Sequence, residues 1–252
     1  MSEAARSAGL TYDDVVRRIE ALNPTQVSIG VPGTAFGYDI RALKVGQKRL
    51  GKKQILMTSG VHGDEPAGIE AVLSFLEGPV EAYLDEFFFS VIPCVNPSGL
   101  ELGTRENEAG QDINRGMSDD TVPESVVLRE FISGCHYDLF FDHHEDYEAT
   151  GFYMYEAERD DHLLGKRIVE AVKVIGPIDG AENTDEGLDL PISEGLFGIN
   201  PKWREQGWSA YAYFDCSNHV ILCETPSAAW DLNLRVQAHR IAQKVALDHY
   251  KR

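Results

Sequence analysis

The sequence predicts an α/β fold, a three-layer α/β/α sandwich around a mostly parallel mixed central sheet. Short, nearly continuous apolar runs are typical of strands buried on both faces, and four occur, at residues 54–59, 87–95, 137–142 and 218–223. Segments with apolar residues at helical spacing alternate with these runs, as expected where helices cover both faces of a sheet. No repeat, low-complexity tract or linker interrupts the chain, so we expect a single domain over residues 1–252.

Helices are expected between the predicted strands. The clearest begins at Pro66, a residue type favoured in the first turn of a helix, and Gly78-Pro79 ends it. Apolar residues at helical spacing predict four others, over residues 11–23, 123–133, 160–174 and 231–249. Two further strands are predicted near the N terminus, at 26–30 and 38–45, separated by a turn at Pro32-Gly33-Thr34.

Charge and hydropathy exclude several classes of protein. The chain carries 23 Lys and Arg against 41 Asp and Glu, a formal net charge of −18. An acidic surface repels phosphate and anionic lipid, so we expect neither nucleic acid nor a membrane among the partners. No apolar run reaches the ~18–20 residues that span a bilayer, and the N-terminal residues lack a signal-peptide pattern. The scattered cysteines, Cys94, Cys135, Cys216 and Cys223, are typical of reduced thiols in a cytoplasmic protein.

Polar and titratable residues gather directly after the predicted strands. They are His62, Asp64 and Glu65 after the first, Asn96 after the second, His143, His144, Glu145 and Asp146 after the third, and Glu224 after the fourth. Ligands of open α/β sheets bind at the carboxyl ends of the strands. We therefore expect these separate segments to meet at one edge of the sheet and to form the functional site there.

His62 and Glu65 lie three residues apart on a turn that enters a predicted helix. An imidazole and a carboxylate so placed can bind one Zn²⁺, and a histidine at the end of the third strand can complete a His₂Glu site. The alternative is that Asp64 or Glu65 caps the helix and His62 is an ordinary loop residue. Spacing does not choose between His143 and His144, whose rings should diverge because alternate strand residues face opposite sides.

Other polar residues could extend this chemistry. Beside a metal Glu224 would be a general base, whereas elsewhere it would be a solvated strand end. Arg105, Asn114 and Arg115 lie in one polar stretch, where one arginine can stabilise an oxyanion and the other can bind a substrate carboxylate. Alone, this stretch would be interpreted as a charged surface loop. Asp142 could orient a ligand imidazole as a hydrogen-bond acceptor.

Five motifs occur in the order in which one enzyme family carries them. They are SGVHGDEPAG (59–68), VNPSGLELGTREN (95–107), GQDINR (110–115), DHH (142–144) and ETP (224–226). In this order they resemble the motifs of zinc carboxypeptidases of the carboxypeptidase A type. The resemblance implies an α/β/α sandwich around a mixed sheet, hydrolysis by metal-activated water, and one Zn²⁺ per chain as the cofactor.

Matched residue by residue, the resemblance implies that His62, Glu65 and His144 bind zinc. His144 is chosen over its neighbour because the family's third ligand follows an Asp by two positions, as His144 follows Asp142.

The same resemblance implies roles for four further residues. They are Glu224 as the catalytic general base, Arg105 as the arginine that polarises the scissile carbonyl, and Asn114 and Arg115 as the pair that binds the substrate's terminal carboxylate.

Some positions depart from the family pattern. The family often has a substrate-covering tyrosine upstream of the catalytic Glu. The corresponding segment here, residues 201–204, contains none; Tyr211 and Tyr213 lie nearer to Glu224 and could substitute. The segment 207–214 is expected to set specificity, and it carries no fixed charge that would select a basic side chain. Additional carboxylates are expected to form a solvated acidic loop rather than a second metal site: Glu145, Asp146 and Glu148.

Three functions are compatible with these residues. The favoured one is a metallocarboxypeptidase-like catalytic domain that cleaves an amide bond next to a carboxylate-bearing residue in a small peptide, as bacterial cytoplasmic murein-peptide amidases do. The alternative is an N-acyl amino acid deacylase of the succinylglutamate desuccinylase/aspartoacylase group, which GVHGDEPAG also resembles. Members of that group often carry an extra C-terminal β domain, whereas only 28 residues follow Glu224 here. A non-catalytic binding protein on the same scaffold is the third. It would be expected to lack a metal ligand or the general base, whereas all matching positions are filled here.

Overall fold

The structure is a computed structural model that describes residues 9–159, 164–180 and 190–251. The strands are β1 (Val27–Ala35), β2 (Tyr38–Val45), β3 (Lys53–Ser59), β4 (Phe87–Ile92), β5 (Leu139–Asp146), β6 (Tyr153–Glu158), β7 (Leu190–Ser193), β8 (Leu196–Gly198) and β9 (His219–Pro226). The α-helices are α1 (Tyr12–Glu20), α2 (Pro66–Leu76), α3 (Pro97–Leu102), α4 (Pro123–Ile132), α5 (Gly165–Val172), α6 (Trp208–Asp215) and α7 (Leu232–Tyr250). Short 3₁₀ helices lie at Pro79–Tyr83 and Pro201–Trp203.

The strands form one mixed sheet in the order β1-β2-β4-β3-β5-β9-β6-β8-β7. The central strands β4, β3, β5 and β9 are parallel, and β2 and β6 flank them in antiparallel orientation. With helices on both faces, this arrangement confirms the predicted α/β/α sandwich around a mixed sheet. Because β3, β5 and β9 run in the same direction, their carboxyl ends lie side by side and can bring distant segments together.

Different helices cover the two faces of the sheet. The core of one layer joins α1, α2, α5 and α7 and includes Val72, Phe141 and Ala242. The core of the other layer joins α4 and α6 and includes Phe140 and Trp208. Because successive residues of a strand point to opposite faces, the polar end of β5 sends alternate side chains into the two layers.

The functional strands are longer than the apolar runs that predicted them. Residues 143–146, expected after the third strand, belong to β5, and Glu224 lies inside β9. The pairing of β5 with β9 continues to Asp146 and Pro226 because backbone hydrogen bonds do not depend on side-chain polarity. In contrast, β4 ends at Ile92, before the predicted residue 95.

The predicted turn at Pro32-Gly33-Thr34 is wrong. These residues belong to β1, which accommodates them through a register shift between Gly30 and Gly33. The hairpin turn lies instead at Phe36 and Gly37, with φ of 50° and 82°. Strands β6, β7 and β8 were not predicted, because they are short and lack a long apolar run.

The predicted helices are present with shifted ends. The helix expected from Pro66 is α2, and the helix expected over 231–249 is α7. The helix expected over 160–174 corresponds to α5, and its predicted residues 160–163 lie outside the described residues. None of the helices in the described part of the chain combines the length and the apolar character needed to cross a membrane.

Candidate metal centre and active-site cavity

Three buried side chains converge at the carboxyl ends of β3 and β5. His62 lies in the loop after β3, Glu65 occupies the N-cap position of α2, and His144 belongs to β5. The Nδ1 atom of His62 lies 2.5 Å from Glu65 Oε1, and the Nδ1 atom of His144 lies 2.9 Å from Glu65 Oε2. The two Nδ1 atoms are 3.3 Å apart. The structure therefore brings together all three residues that the sequence predicts as ligands.

The pleat of β5 separates the two candidate histidines. The ring of His143 packs towards α7, and its Nε2 lies 2.8 Å from Gln243 Nε2 in that helix. Its Nδ1 lies 2.7 Å from the carbonyl oxygen of Thr58 in β3. His144 points to the other side, where it reaches Glu65. The predicted divergence of the two rings is confirmed, and it leaves His144 as the member of the pair in the cluster.

One aspartate contacts the far ring nitrogen of each of the two imidazoles. Asp142 Oδ2 lies 3.2 Å from His144 Nε2, and Asp112 Oδ1 lies 3.3 Å from His62 Nε2. Carboxylates in these positions fix the tautomer and the orientation of the rings, so that both Nδ1 atoms face Glu65. The sequence suggested Asp142 for this role, but Asp112 was missed. Its only signal in the sequence is its place inside the GQDINR motif.

Asp142 is itself held by hydrogen bonds on both oxygens. Thr58 Oγ1 donates to Asp142 Oδ1 at 2.7 Å, and Ser209 Oγ donates to Asp142 Oδ2 at 2.7 Å. The indole Nε1 of Trp208 donates to Thr58 Oγ1 at 3.0 Å. All these side chains are buried. Residues from β3, β5 and α6 therefore fix the orientation of the His144 ring.

The charges in this cluster shift one another's protonation. Burial raises the pKa of Glu65, but the imidazoles of His62 and His144 outweigh burial and hold that pKa well below its usual range. Burial lowers the pKa of His144, whereas the carboxylates of Asp142 and Glu65 raise it well above its ordinary value. A buried group of carboxylates around two imidazoles is an environment that favours a cation.

The donor set fits zinc. Two imidazole nitrogens and one carboxylate are the protein ligands of a common type of catalytic zinc site, which keeps a further position open. One donor atom from each of His62, Glu65 and His144 lies within 4.8 Å of the others. Within residues 9–159, 164–180 and 190–251, this is the only group of three His, Cys, Asp or Glu side chains so arranged. The anchored imidazoles give the site the outer hydrogen bonds that zinc histidines usually make.

Glu224 lies beside this cluster in β9. Its backbone is the register partner of His144, and its side chain lines the same cavity as Glu65. Its Oε2 atom is buried and accepts no hydrogen bond from the described residues. Burial and the charges of Glu65 and Asp146 raise the pKa of Glu224 well above its ordinary value, against the opposing effect of His144 and Arg105. A carboxylate with a raised pKa in a cavity is typical of groups that transfer protons.

Arg105 lies next to the candidate metal ligands. Its Nε donates to Asp112 Oδ2 at 3.0 Å, and its Nη1 lies 3.3 Å from His62 Nδ1 and 3.9 Å from Glu65 Oε1. Burial lowers the pKa of Arg105, but Asp112 and Glu65 outweigh burial and raise that pKa, so the guanidinium remains charged. A fixed positive charge therefore faces the cavity at the candidate metal centre.

Asn114 and Arg115 form another part of the cavity wall. The backbone N–H of Asn114 donates to Asp112 Oδ1 at 2.8 Å, and the N–H of Trp208 donates to Asn114 Oδ1 at 2.8 Å. These bonds orient the Asn114 amide and leave its Nδ2 as the donor for a ligand. Arg115 Nη1 donates to the Asn114 carbonyl oxygen at 3.0 Å. The pair thus presents an amide donor and a guanidinium to one side of the cavity.

The cavity has a volume of about 830 Å³. It is lined by six of the seven predicted site residues, all except His144: His62, Glu65, Arg105, Asn114, Arg115 and Glu224. The predicted specificity segment contributes Gly207, Ser209 and Ala210. The cavity's tyrosines are Tyr147, Tyr153 and Tyr155, whereas the suggested Tyr211 and Tyr213 are not in its lining.

One expectation about the acidic segment after His144 is wrong. Glu145 was expected in a solvated loop, but its side chain is fully buried and forms an ion pair with Arg235. Burial raises the pKa of Glu145 to about 7, while Arg235 opposes the shift. The alternation of β5 turns Glu145 into the layer that contains α7, which a loop prediction does not anticipate. All three acidic residues, Glu145, Asp146 and Glu148, are nevertheless among those that line the cavity.

Comparisons with known proteins agree with this geometry. The family model for zinc carboxypeptidase matches residues 12–160. A curated relative, cytosolic carboxypeptidase 2 of Xenopus tropicalis, is 27% identical over 129 residues, which are 46% of this chain. The match spans only 13% of that relative's length.

Solved structures share the fold. One is a Shewanella amazonensis protein provisionally assigned as a metallopeptidase, with a TM-score of 0.80 and 22% identity over 94% of this chain and 90% of that chain. Another is carboxypeptidase A of Helicoverpa armigera, with a TM-score of 0.72 and 17% identity over 99% of this chain and 78% of that chain. These likenesses establish the fold, and the family match covers more than half of the sequence, including His62, Glu65 and His144. The chain therefore belongs to the zinc carboxypeptidase family.

Proposed function

We propose that the protein hydrolyses an amide bond next to a carboxylate-bearing residue in a small peptide. One observation carries the proposal: a single cavity of about 830 Å³ is lined by two candidate zinc ligands, a charged arginine, a carboxylate of raised pKa and an Asn–Arg pair. Each of these groups corresponds to one requirement of amide hydrolysis near a carboxylate. We further propose that they belong to one catalytic domain.

His62 and His144 would hold Zn²⁺ through their Nδ1 atoms, and Glu65 through its carboxylate. The support is the close approach of the three donors and the anchoring of both far nitrogens by aspartates. Zinc bound there supplies a Lewis acid that activates water and polarises the scissile carbonyl.

Glu224 is the proposed general base. Its carboxylate takes a proton from the attacking water and then donates that proton to the leaving nitrogen. Its raised pKa supports both steps, because a more basic carboxylate accepts the proton more readily and still releases it to an amine. The unpartnered Oε2 atom is the candidate position for that proton.

Arg105, Asn114 and Arg115 are the proposed substrate-binding groups. Arg105 lies 3.3 Å from His62 Nδ1, where its guanidinium can donate to the oxygen that becomes negative in the transition state. Asn114 Nδ2 and the Arg115 guanidinium would bind the substrate carboxylate and so determine which amide bond reaches the catalytic groups.

We further propose that the substrate is a peptide rather than an N-acyl amino acid, and that the enzyme is cytoplasmic. The cavity fits a small substrate, and its lining does not by itself separate a peptide from an N-acyl amino acid, because both carry a carboxylate beside the amide. We favour the peptide, in keeping with the family. We place the enzyme in the cytoplasm, supported by four cysteines that are all free in the structure.

The first experiment is to measure the zinc content together with hydrolysis of three substrate classes. The classes are C-terminal dipeptides, γ-D-glutamyl–diaminopimelate peptides and N-acyl amino acids, each with an amidated analogue as control. We expect one zinc per chain and chelator-sensitive release from one of the two peptide classes. Release from N-acyl amino acids alone would identify a deacylase. Zinc binding without hydrolysis of any class would contradict the proposed activity.

A further inference from the structure

Glu145 directly follows a candidate zinc ligand in the sequence, but its side chain packs into the layer that contains α7. The His144 ring reaches Glu65, and the side chain of Glu145, the next residue of β5, is fully buried against Arg235 of α7. The side chain of Arg235 is only 12% exposed. A buried ion pair of this kind needs further hydrogen bonds to offset the loss of hydration, and a specific polar partner is present.

That partner is the first free backbone N–H of α2. Glu145 Oε1 accepts a hydrogen bond from Ala67 N at 2.7 Å. The residue before Ala67 is Pro66, which has no N–H to donate. The carboxylate of Glu145 therefore caps the helix from another strand, 78 residues away in the sequence.

The residue that would normally cap α2 is engaged elsewhere. Glu65 occupies the N-cap position but makes no capping hydrogen bond with its side chain. Its two carboxylate oxygens lie instead against His62 and His144. An N-cap side chain ordinarily accepts from the N–H groups of the first turn. Glu145 therefore performs the capping that Glu65 would otherwise provide, and Glu65 remains directed at the metal centre.

Arg235 keeps the Glu145 carboxylate in place. It donates from Nη1 to Glu145 Oε2, while Oε1 accepts from Ala67. Without the guanidinium, the carboxylate would be an uncompensated buried charge and would move towards solvent or be protonated. The position of Arg235 is set in turn by the first turn of α7, which Asp231 caps through Leu234 N at 2.9 Å.

We infer that the Arg235–Glu145 pair is a positioning device that fixes the start of α2 and thereby holds the Glu65 carboxylate at the geometry required for zinc. This inference rests on the proposed role of Glu65 as a zinc ligand. Metal ligands work only within narrow limits of distance and angle, and groups outside the ligand shell commonly set them. Arg235 is not among the residues that line the cavity, so it would act on the metal centre only through Glu145.

The same fold offers a matched control for simple capping. Glu156 of β6 is also buried, accepts from Leu164 N at 2.8 Å and Gly165 N at 2.9 Å at the start of α5, and contacts His219 Nε2 at 2.8 Å. No candidate zinc ligand lies in the helix that Glu156 caps. A loss of capping at α5 should therefore destabilise the protein without changing its affinity for zinc.

The test measures the zinc Kd of the folded full chain by competition with a chelator, together with the visible spectrum of the Co²⁺ form and the melting temperature without metal. The variants are Glu145→Ala, Glu145→Gln, Arg235→Met, Glu156→Ala and His144→Ala. We expect Glu145→Ala to weaken zinc binding by about 10–100-fold and to alter the Co²⁺ spectrum. Glu145→Gln keeps an acceptor oxygen for Ala67 N and should lose less affinity. Glu156→Ala should lower the melting temperature and leave the zinc Kd unchanged.

The outcomes separate this inference from the proposed function. If His144→Ala binds zinc as the wild-type protein does, the proposed metal centre is wrong. If His144→Ala loses zinc while Glu145→Ala binds as tightly as Glu156→Ala, the pair is only structural and the inference is overturned. Should Glu145→Ala fail to fold, Arg235→Met decides, because an unchanged Kd and Co²⁺ spectrum in that variant also overturn the inference.

Discussion

His144 and Glu224 are register partners on the neighbouring parallel strands β5 and β9. Adjacent strands lie about 4.8 Å apart, so the sheet itself fixes the spacing between the candidate zinc ligand and the proposed general base. On the other side of Glu224, its register partner in β6 is Tyr153, which also lines the cavity. A row of three side chains on one sheet is more rigid than the same groups on loops.

Replacing Glu224 with Gln should separate metal binding from turnover. Gln keeps the shape of the side chain but cannot accept the proton of the attacking water, so we expect kcat to fall by about 10²–10⁴-fold. Zinc content, measured on the same preparation, should remain that of the wild type, because Glu224 is not among the candidate ligands. A kcat close to that of the wild type would remove Glu224 from the mechanism.

Replacing Arg115 with Ala should weaken the binding of substrates that carry a carboxylate. A hydrogen bond to a charged group contributes about 1.5–3 kcal/mol, which corresponds to a rise in KM of about 10–100-fold. Steady-state kinetics on a carboxylate substrate and on its amidated analogue provide the comparison. The amidated analogue should respond little to the substitution, and an equal loss on both would contradict the proposed binding of the substrate carboxylate by Arg115.

Replacing Gly63 with Ala should disturb the candidate metal centre through the backbone. A Cβ atom at Gly63 would lie 1.9 Å from the carbonyl carbon of Gly99 and 2.2 Å from Leu100 N, and these backbone atoms cannot turn aside as a side chain can. The loop that carries His62 must then move, at a cost of about 1–3 kcal/mol or more in the free energy of unfolding. Urea unfolding and a zinc titration would measure both effects.

Gly30 provides the control for that substitution. A Cβ atom there would meet nothing nearer than the Ala42 carbonyl oxygen at 3.9 Å. Gly30→Ala should therefore leave the zinc affinity and the free energy of unfolding nearly unchanged. Equal losses in the two variants would show that the close approach of Gly63 to Gly99 does not determine the geometry of the site.

His239 should make the metal-free protein less stable at low pH. Burial, followed by the nearby His143, His144 and Arg235, lowers the pKa of His239 well below its ordinary value of 6.5, despite the opposing effect of Glu65. Below pH 6.5, His239 binds a proton in the unfolded chain but stays neutral in the folded protein. The free energy of unfolding therefore falls as the pH drops below about 6.5, by up to about 1.4 kcal/mol per pH unit for this one group.

A His239→Gln variant isolates this contribution. Urea unfolding of the metal-free protein between pH 7.5 and pH 5 should show a shallower loss of stability in the variant. The slope of the free energy of unfolding against pH should differ from that of the wild type by the equivalent of up to one bound proton. The comparison between the two proteins cancels the carboxylates that titrate in the same range. Identical slopes would mean that His239 is protonated in the folded protein as readily as in the unfolded chain.

Much of the fold could be predicted from local patterns. The apolar runs identified β3, β4, β5 and β9, and Pro66 marked the start of α2, because burial and helix initiation leave signals within a few residues. The turn at residues 32–34 was predicted wrongly because a bulge and a turn share the same local signal, and only the pairing with β2 separates them.

The residue types at the candidate site and their order along the chain can be read from the sequence motifs alone. The motifs from His62 to Glu224 predict the candidate ligands, the candidate base and the candidate substrate-binding groups. How these residues meet depends on the folded chain: the pleat of β5 directs His144 to Glu65 and His143 to α7, and Asp112 contacts His62. The capping of α2 by Glu145 could not be predicted from the sequence either, because contacts between residues 50–90 positions apart leave no local periodicity.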